Sequence, residues 1–178
     1  MAIDISHSRP KARISDKMGV FMRERIVLLV LCITICQLAG VVGSYLTDLS
    51  VTTWYPALIK PSYTPPGWFI GLVWVVLYTL MGISLFLVLD SKPQPGPLKN
   101  ALMPFSIQLL LNIAWSGAFF GLRSPLYALV IIAALWLSII VTMKRFFEIS
   151  RRAGVLLIPY ILWVSFAAFL NYTIWRLN

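Results

Sequence analysis

Residues 67–89 read GWFIGLVWVVLYTLMGISLFLVL, a run of 23 residues without a charged side chain. At the rise of a helix, such a run extends about 35 Å, which is enough to cross the hydrocarbon core of a bilayer. In that medium only a helix or a closed barrel satisfies every backbone amide. The stretch therefore predicts a membrane-spanning helix.

Four further apolar runs surround this one, and only 12% of all residues are charged, about half the share in soluble proteins. The fold class is therefore predicted to be all-α: a polytopic membrane protein with a five-transmembrane-helix bundle over residues 26–178. The predicted spans are 26–46, 67–89, 101–120, 125–143 and 153–175.

The segment before the first span, residues 1–25, is polar, carries six basic residues, and has no hydrophobic periodicity. It is predicted to be a cytosolic tail that is either disordered or lies on the lipid headgroups. The alternative is the n-region of a signal peptide with an apolar core at 26–38. The apolar run continues to Leu46, which favours an uncleaved helix.

Prolines predict where the helices begin and bend. Pro66 precedes the second span, and the segment Lys92–Pro97 (KPQPGP) predicts a break before the third. Pro104 is expected in a first helical turn, where proline is tolerated. Pro159 lies inside the fifth span and is expected to kink it, freeing the carbonyl of Val155.

The basic residues predict the orientation. Segments 1–25, 90–100 and 144–152 hold twelve of the fifteen Lys and Arg residues, which places the N-terminus in the cytosol and the C-terminus outside. The basic tail favours a bacterial inner membrane. Because the charges lie at membrane boundaries rather than on one face, nucleic acid is not an expected partner.

The long connection 47–66 then lies outside, and its four prolines predict a compact flap over the mouth of the bundle.

No charged residue lies in the middle of a predicted span. Ion-coupled transporters and voltage sensors usually need such residues, so ion translocation and catalysis by paired carboxylates are disfavoured. The only histidine, His7, lies in the tail, so neither a metal site nor a required cofactor is expected. Cys32 and Cys36 are interpreted as small buried hydrophobes.

Aromatic and neutral polar residues mark three helix faces. Trp74 and Tyr78 are one turn apart in the second span, as are Trp163 and Ala167 in the fifth. A mixed stripe follows the third span, formed by Gln108, Asn112, Trp115, Ser116 and Phe119. Together these faces are suited to enclose a flat aromatic ligand. Two alternatives stay open: tryptophans as interfacial anchors, and Gln108 and Asn112 as interhelical hydrogen-bonding groups.

Small residues predict close helix contacts. They are Ala39, Gly40, Gly43 and Ser44 in the first span and Gly117, Ala118 and Gly121 in the third. Such patterns occur both at crossings within a bundle and at dimer seams. Near the C-terminus, Leu170, Tyr172 and Arg176 fit a weak pattern proposed for cholesterol contact.

Three segments resemble one known family. WYPALIKPSYTPPGWFIGLVWVVLY (54–78), LNIAWSGAFFGL (111–122) and AGVLLIPYILWVSFAAFLNY (153–172) are similar to the tryptophan-rich sensory protein family, also called the translocator protein or peripheral benzodiazepine receptor family. The resemblance extends over residues 26–178 and omits the basic tail.

The resemblance implies a dimeric five-helix bundle that binds porphyrins such as protoporphyrin IX and haem, and sterols in some members. It implies a pocket lined by Tyr55, Pro65, Trp74, Tyr78, Asn112, Ser116, Phe119, Trp163 and Ala167. Related pockets often carry Asn where this chain has Ser116. Some bacterial relatives are said to degrade protoporphyrin in light, which would make Trp74 and Trp163 catalytic.

Three functions therefore stay open at this stage. The first is a porphyrin-binding membrane receptor linked to tetrapyrrole regulation, the second a light-dependent porphyrin-degrading enzyme, and the third a porphyrin or sterol transporter. Lys60, the one cation of the flap, either meets a porphyrin propionate or is solvated.

Overall fold

The computed structural model describes the backbone of residues 9–178 and the side chains from Gly19 onward. Five helical segments within this range are long and apolar enough to cross a membrane. The predicted all-α, five-span architecture is confirmed. The helices are α1 (Arg9–Asp48), α2 (Gly67–Asp90), α3 (Pro95–Ser116), α4 (Pro125–Ile149), α5 (Arg151–Leu156) and α6 (Ile158–Leu177).

Helix α1 begins at Arg9, well before the predicted span. The prediction of a disordered tail is therefore wrong for residues 9–25, and residues 1–8 lie outside the described part of the chain. Extending an existing helix costs much less than nucleating a new one. Most residues between Lys11 and Arg25 are good helix formers, and Pro10 falls in the first turn, where no N–H partner is needed.

Helix α3 also begins earlier than predicted. The chain turns at residues 91–94, where Lys92 has a positive φ of 48°, and the helix starts at Pro95. Pro95 and Pro97 therefore occupy the first turn rather than breaking the helix, and Pro104 lies in the helix interior instead. The carbonyl of Pro104 accepts a hydrogen bond of 3.0 Å from the Ser138 hydroxyl of α4.

The fifth span is interrupted as expected. Leu157 separates α5 from α6, two residues before Pro159, which occupies the first turn of α6. A proline cannot donate to the carbonyl four residues earlier, so the helix restarts at this point. Helix α6 contributes one wall of the cavity described below.

The small residues serve contacts within the chain. A Cβ at Gly82 would lie 2.5 Å from the Cα of Ile33, so α2 approaches the backbone of α1 closely there. A Cβ at Gly43 would lie 3.4 Å from the Ser116 hydroxyl, and one at Gly117 would lie 3.6 Å from Leu46. The small residues of α1 and α3 therefore lie where helices cross within the bundle.

Core side chains fill the half of the bundle away from the 47–66 loop. Cys32 and Cys36 are both buried there, which confirms their interpretation as small core residues. Phe105 stacks on Phe146 with ring centroids 5.5 Å apart. At the edge of this half, Arg25 and Asp90 join α1 to α2 by a 2.7 Å ion pair. The packed half leaves the opposite half free to hold a cavity.

Candidate ligand-binding site

A cavity of about 620 Å³ opens between α1, α2, α3 and α6, next to the 47–66 loop. Its lining includes no residue of α4, which packs behind α3 and α6. The size lies within the usual range of small-molecule sites. Most of the lining surface is aromatic or aliphatic, as expected for a site that holds a flat apolar ligand.

The floor of the cavity is a cluster of aromatic and amide side chains. Trp74 packs on Tyr78 with ring centroids 5.6 Å apart. The Asn112 amide of α3 donates a 2.8 Å hydrogen bond to the hydroxyl of Tyr160, which is fully buried. A Cβ at Gly40 would lie 2.7 Å from the Tyr78 ring, so only glycine lets this ring lie flat against α1.

The wall opposite α1 is formed by α3 and α6. The Trp115 indole N–H donates a 3.0 Å hydrogen bond to the Asn171 carbonyl oxygen. The amide N–H of Asn171 donates in turn to the Pro125 carbonyl at 2.8 Å. Trp163 and Ala167 lie on the same wall, toward the floor. The indole N–H of Trp163 is buried and has no acceptor among the described residues.

The roof consists of the 47–66 loop on the end of α3, where residues Gly117–Gly121 form a π-helical turn. Tyr55 packs against Phe119 and Phe120, with ring centroids 6.2 and 5.6 Å away. The buried Ser50 hydroxyl donates a 2.6 Å hydrogen bond to the Phe120 carbonyl. The predicted compact flap is present.

Lys60 holds the roof together from within. Its ammonium donates to the carbonyls of Tyr55, Pro56 and Leu58 at 2.9, 3.3 and 3.1 Å. It also lies 4.8 Å from the centre of the Tyr55 ring. Burial raises the pKa of the Tyr55 phenol, so the ring stays neutral beneath this cation. The ammonium is committed to the loop rather than pointing into the cavity or to solvent.

The cavity is open on the side between α1 and α2. Val41 and Val75 line it and are 63% and 54% exposed. Gly67 and Gly71 also line it, and a Cβ at either would meet nothing within 4 Å. Below this opening, the Gln37 amide of α1 donates to the Val75 carbonyl and the Thr79 hydroxyl, at 3.0 and 2.9 Å. These bonds join α1 to α2 next to the cavity.

Comparison with known proteins decides the family. The model of the TspO/MBR family matches residues 32–176, which includes every residue that lines the cavity. The chain belongs to the TspO/MBR family. The three segments whose resemblance was noted in the sequence all lie on the cavity or its roof.

Individual TspO/MBR relatives match most of the chain. It is 43% identical to the tryptophan-rich protein TspO of Chlorobaculum tepidum over 157 residues, which are 88% of this chain and 99% of that protein. It is 38% identical to the translocator protein of Homo sapiens over 140 residues, 77% of this chain and 82% of that one. It is 34% identical to the protein CrtK of Rhodobacter capsulatus over 143 residues, 80% and 88% of the two chains.

Within this TspO/MBR bundle, the residues predicted for the pocket mostly meet at one place. Eight of them line the cavity: Tyr55, Trp74, Tyr78, Asn112, Ser116, Phe119, Trp163 and Ala167. Pro65 does not line it, because it lies in the turn that leads into α2. Gln108 is fully buried below the floor, and neither of its amide atoms has a described partner. Asn112 joins α3 to α6, as expected of an interhelical hydrogen-bonding group, and it also lines the cavity.

The polar residues at the cavity or its roof that were not predicted include Gln37, Asp48 and Ser50. Gln37 and Asp48 line the wall of α1, and Ser50 fixes the roof. Gln37 had a usable signal, because a single amide inside an apolar span usually has a specific partner. Nothing in the sequence singled out Asp48 or Ser50, since polar residues are common at the end of a span.

Proposed function

We propose that this TspO/MBR-family membrane protein is a receptor that binds porphyrins, such as protoporphyrin IX or haem, in the cavity between α1, α2, α3 and α6, and that it acts in tetrapyrrole regulation. The observation that carries the proposal is the ring-lined cavity itself. Trp74, Tyr78, Trp115, Phe119 and Trp163 present aromatic surfaces to a space of about 620 Å³. Offset stacking and edge contacts of a planar ring with such walls contribute about 0.5–1.5 kcal/mol each.

The unpaired N–H of Trp163 supports the same proposal. A buried donor without an acceptor costs roughly 1–3 kcal/mol. A ligand that brings an acceptor next to Trp163 removes this cost on binding. Trp163 is therefore expected to contribute both a stacking surface and a hydrogen-bond donor. Binding of this kind needs no metal and no further cofactor.

Titration of the purified protein with protoporphyrin IX in the dark tests the proposal. Saturable quenching of tryptophan fluorescence is expected, with recovery of intact porphyrin. Trp163→Ala should weaken binding at least tenfold, while Trp175→Ala, a tryptophan that does not line the cavity, should leave it unchanged. Quenching that does not saturate, or that both variants leave unaltered, contradicts the proposal.

Light-dependent oxidation of the bound porphyrin is a second candidate function, and the surroundings of Trp74 favour it. This indole contacts two tyrosines, Tyr78 at 5.6 Å and Tyr160 at 6.4 Å between ring centroids. The excited porphyrin would take an electron from the indole and pass it to oxygen, and the superoxide formed would attack the macrocycle. A neighbouring phenol would return an electron to the oxidised indole, losing its proton and becoming a phenoxyl radical. The reaction requires light and oxygen, and the change in porphyrin absorption should disappear in Trp74→Phe. A loss equal to that of free porphyrin in detergent contradicts it.

Sterol binding is a separate proposal, located on the outside of α6. Tyr172 and Arg176 are exposed, whereas Leu170 lines the cavity. A sterol would therefore contact the exposed pair at the bundle surface. Photocrosslinking by a sterol probe, reduced in Tyr172→Ala and unchanged in Tyr127→Ala, is the expected result. Equal labelling of both variants contradicts it. Transport of either ligand is less favoured, because no Asp, Glu, Lys or Arg lies in the middle of a predicted span.

A further inference from the structure

Several polar side chains of the cavity wall donate their hydrogen bonds within the protein. The Gln37 amide N–H groups are held by the Val75 carbonyl and Thr79. The amide of Asn171 donates to the Pro125 carbonyl, and the Thr47 hydroxyl donates to the Gly43 carbonyl at 2.9 Å. Because backbone carbonyls can only accept, these orientations are fixed.

Among the groups of α1 that line the cavity, two acceptors have no described donor, and the Ser44 hydroxyl makes no hydrogen bond to a described residue. No described residue donates to the side-chain carbonyl of Gln37. The carboxylate of Asp48 has neither an ion-pair partner nor a hydrogen-bond donor among the described side chains. Gln37, Ser44 and Asp48 follow the spacing i, i+7, i+11, so they lie on one face of α1. That face lines the cavity over roughly 16 Å.

Asp48 is the one charged residue among those that line the cavity. It is also the last residue of α1, and the last turn of this helix contains no basic residue. The negative end of the helix dipole disfavours an anion at that position. Lys60, the cation of the roof, is committed to three loop carbonyls. The mouth of the cavity, where Asp48 ends α1, therefore carries a negative charge without an ion-pair partner among the described residues.

We propose that the α1 wall, and Asp48 above all, determines ligand specificity by selecting planar ligands with N–H or cationic groups at the mouth and disfavouring carboxylates there. This inference rests on the proposed porphyrin site and adds that the end of the site near Asp48 prefers cationic or N–H groups over carboxylates. We call this preference the polarity of the site. A dicarboxylate porphyrin would then bind with its propionates turned away from Asp48, toward the side of the cavity that α2 and α6 form.

Three matched porphyrins test this polarity in nanodiscs of zwitterionic lipid, which avoid a charged surface. The probes are protoporphyrin IX, its neutral dimethyl ester, and a diamide with terminal ammonium groups. At low salt the expected order of affinity is ammonium, ester, carboxylate. Asp48→Asn should weaken the ammonium probe and strengthen the carboxylate probe by about fivefold each. Asp48→Lys should reverse the order, and Glu148→Gln, far from the cavity, should change nothing.

The outcomes separate this inference from the proposed function. If all three probes bind equally, or the carboxylate binds tightest to the unaltered protein, the polarity is overturned while the porphyrin site stands. If Asp48→Asn shifts all three affinities in the same direction, the polarity is likewise overturned. If none of the probes binds, the proposed function and the inference both fail. Asp48→Lys places a cation at a helix C-terminus, which favours folding.

Discussion

Ser50 joins the roof of the cavity to the π-helical turn of α3. Its hydroxyl donates to the carbonyl of Phe120, and its own carbonyl accepts from the backbone N–H groups of Trp54 and Tyr55, both at 3.0 Å. Such turns leave carbonyls without the usual helical donor. Ser50 therefore supplies the hydrogen-bond donor that the carbonyl of Phe120 would otherwise lack.

Removing this hydroxyl should loosen the roof. Ser50→Ala leaves a buried carbonyl without a donor, so the free energy of unfolding should fall by about 1–3 kcal/mol. Denaturation of the purified protein in mild detergent measures the change. Ser91→Ala is the matched control, because that hydroxyl bonds within an exposed helix end and its loss should have little effect. Equal effects of both substitutions contradict this role of Ser50.

Lys60 contributes to the same roof by a different means. Lys60→Met removes the charge but keeps the length of the side chain, so the segment 55–60 should open more often. Amide hydrogen exchange in this segment should become at least fivefold faster, which corresponds to about 1 kcal/mol of lost local stability. Lys99→Met, outside the cavity, is the control. Unchanged exchange in Lys60→Met contradicts the role of this lysine in the loop.

At the scale of whole helices, two glycines of α2 lie in different surroundings. Gly82 is in close contact with the backbone of α1, whereas Gly71 lies beside the cavity with open space around it. Gly82→Ala should lower the free energy of unfolding by about 1–3 kcal/mol, because the new Cβ would overlap the α1 backbone. Gly71→Ala has open space around its Cβ and should be neutral or stabilising by up to about 1 kcal/mol. Thermal unfolding measures both, and the reverse order would contradict the close contact.

The opening between α1 and α2 is expected to admit the ligand from the bilayer. Gly71→Leu adds a side chain where a Cβ would meet open space, so it should narrow the opening and slow porphyrin association by about tenfold or more while leaving the fold intact. Stopped-flow quenching measures the rate. Gly96→Leu, which also adds a side chain in open space but far from the cavity, is the control. Equal association rates for both variants contradict this route of entry.

The sequence was sufficient for the number of helices but not for all of their ends. Length and hydropathy determine how many helices can cross a bilayer, and all five runs became helices. The start of α1 and the position of Pro104 were wrong, because a helix propagates into polar residues and accepts prolines in its first turn. Neither effect leaves a hydropathy signal.

The residues of the cavity, too, could be predicted only in part from the sequence. Helical spacing together with the resemblance to the family indicated Trp74, Tyr78 and Trp163 correctly as neighbours of one space. Asp48 and Ser50 could not be predicted in the same way. Their roles depend on how the loop folds back on α3 and on which donors are already used, and these features exist only in three dimensions.

At the scale of the whole molecule, we propose that the N-terminus faces the cytosol of a bacterial inner membrane and the C-terminus lies outside. Twelve of fifteen basic residues support this orientation. A cysteine introduced by Thr53→Cys should react with an impermeant maleimide on intact cells, whereas one introduced by Glu148→Cys should react only after permeabilisation. The opposite pattern contradicts the orientation.

A homodimer is also proposed for the whole molecule, and the use of the glycine seams within the chain constrains it. Because Gly43 and Gly117 already lie at crossings of α1 and α3, a second copy would pack on other, lipid-facing surfaces. Ile35 and Leu110 are examples, 52% and 66% exposed. Crosslinking through Leu110→Cys should give a covalent dimer, and crosslinking through Gly117→Cys should not. A dimer obtained only through Gly117→Cys contradicts this arrangement.

The most direct test of the cavity as the porphyrin site is a dark titration with protoporphyrin IX of the unaltered protein and of Ala167→Phe. Ala167 lines the cavity, and a phenyl group there occupies the space that a macrocycle needs. Saturable binding to the unaltered protein, weakened at least tenfold in a variant that retains its helical spectrum, is the predicted result. Equal saturable binding to both proteins, or none to either, would contradict the assignment of the cavity.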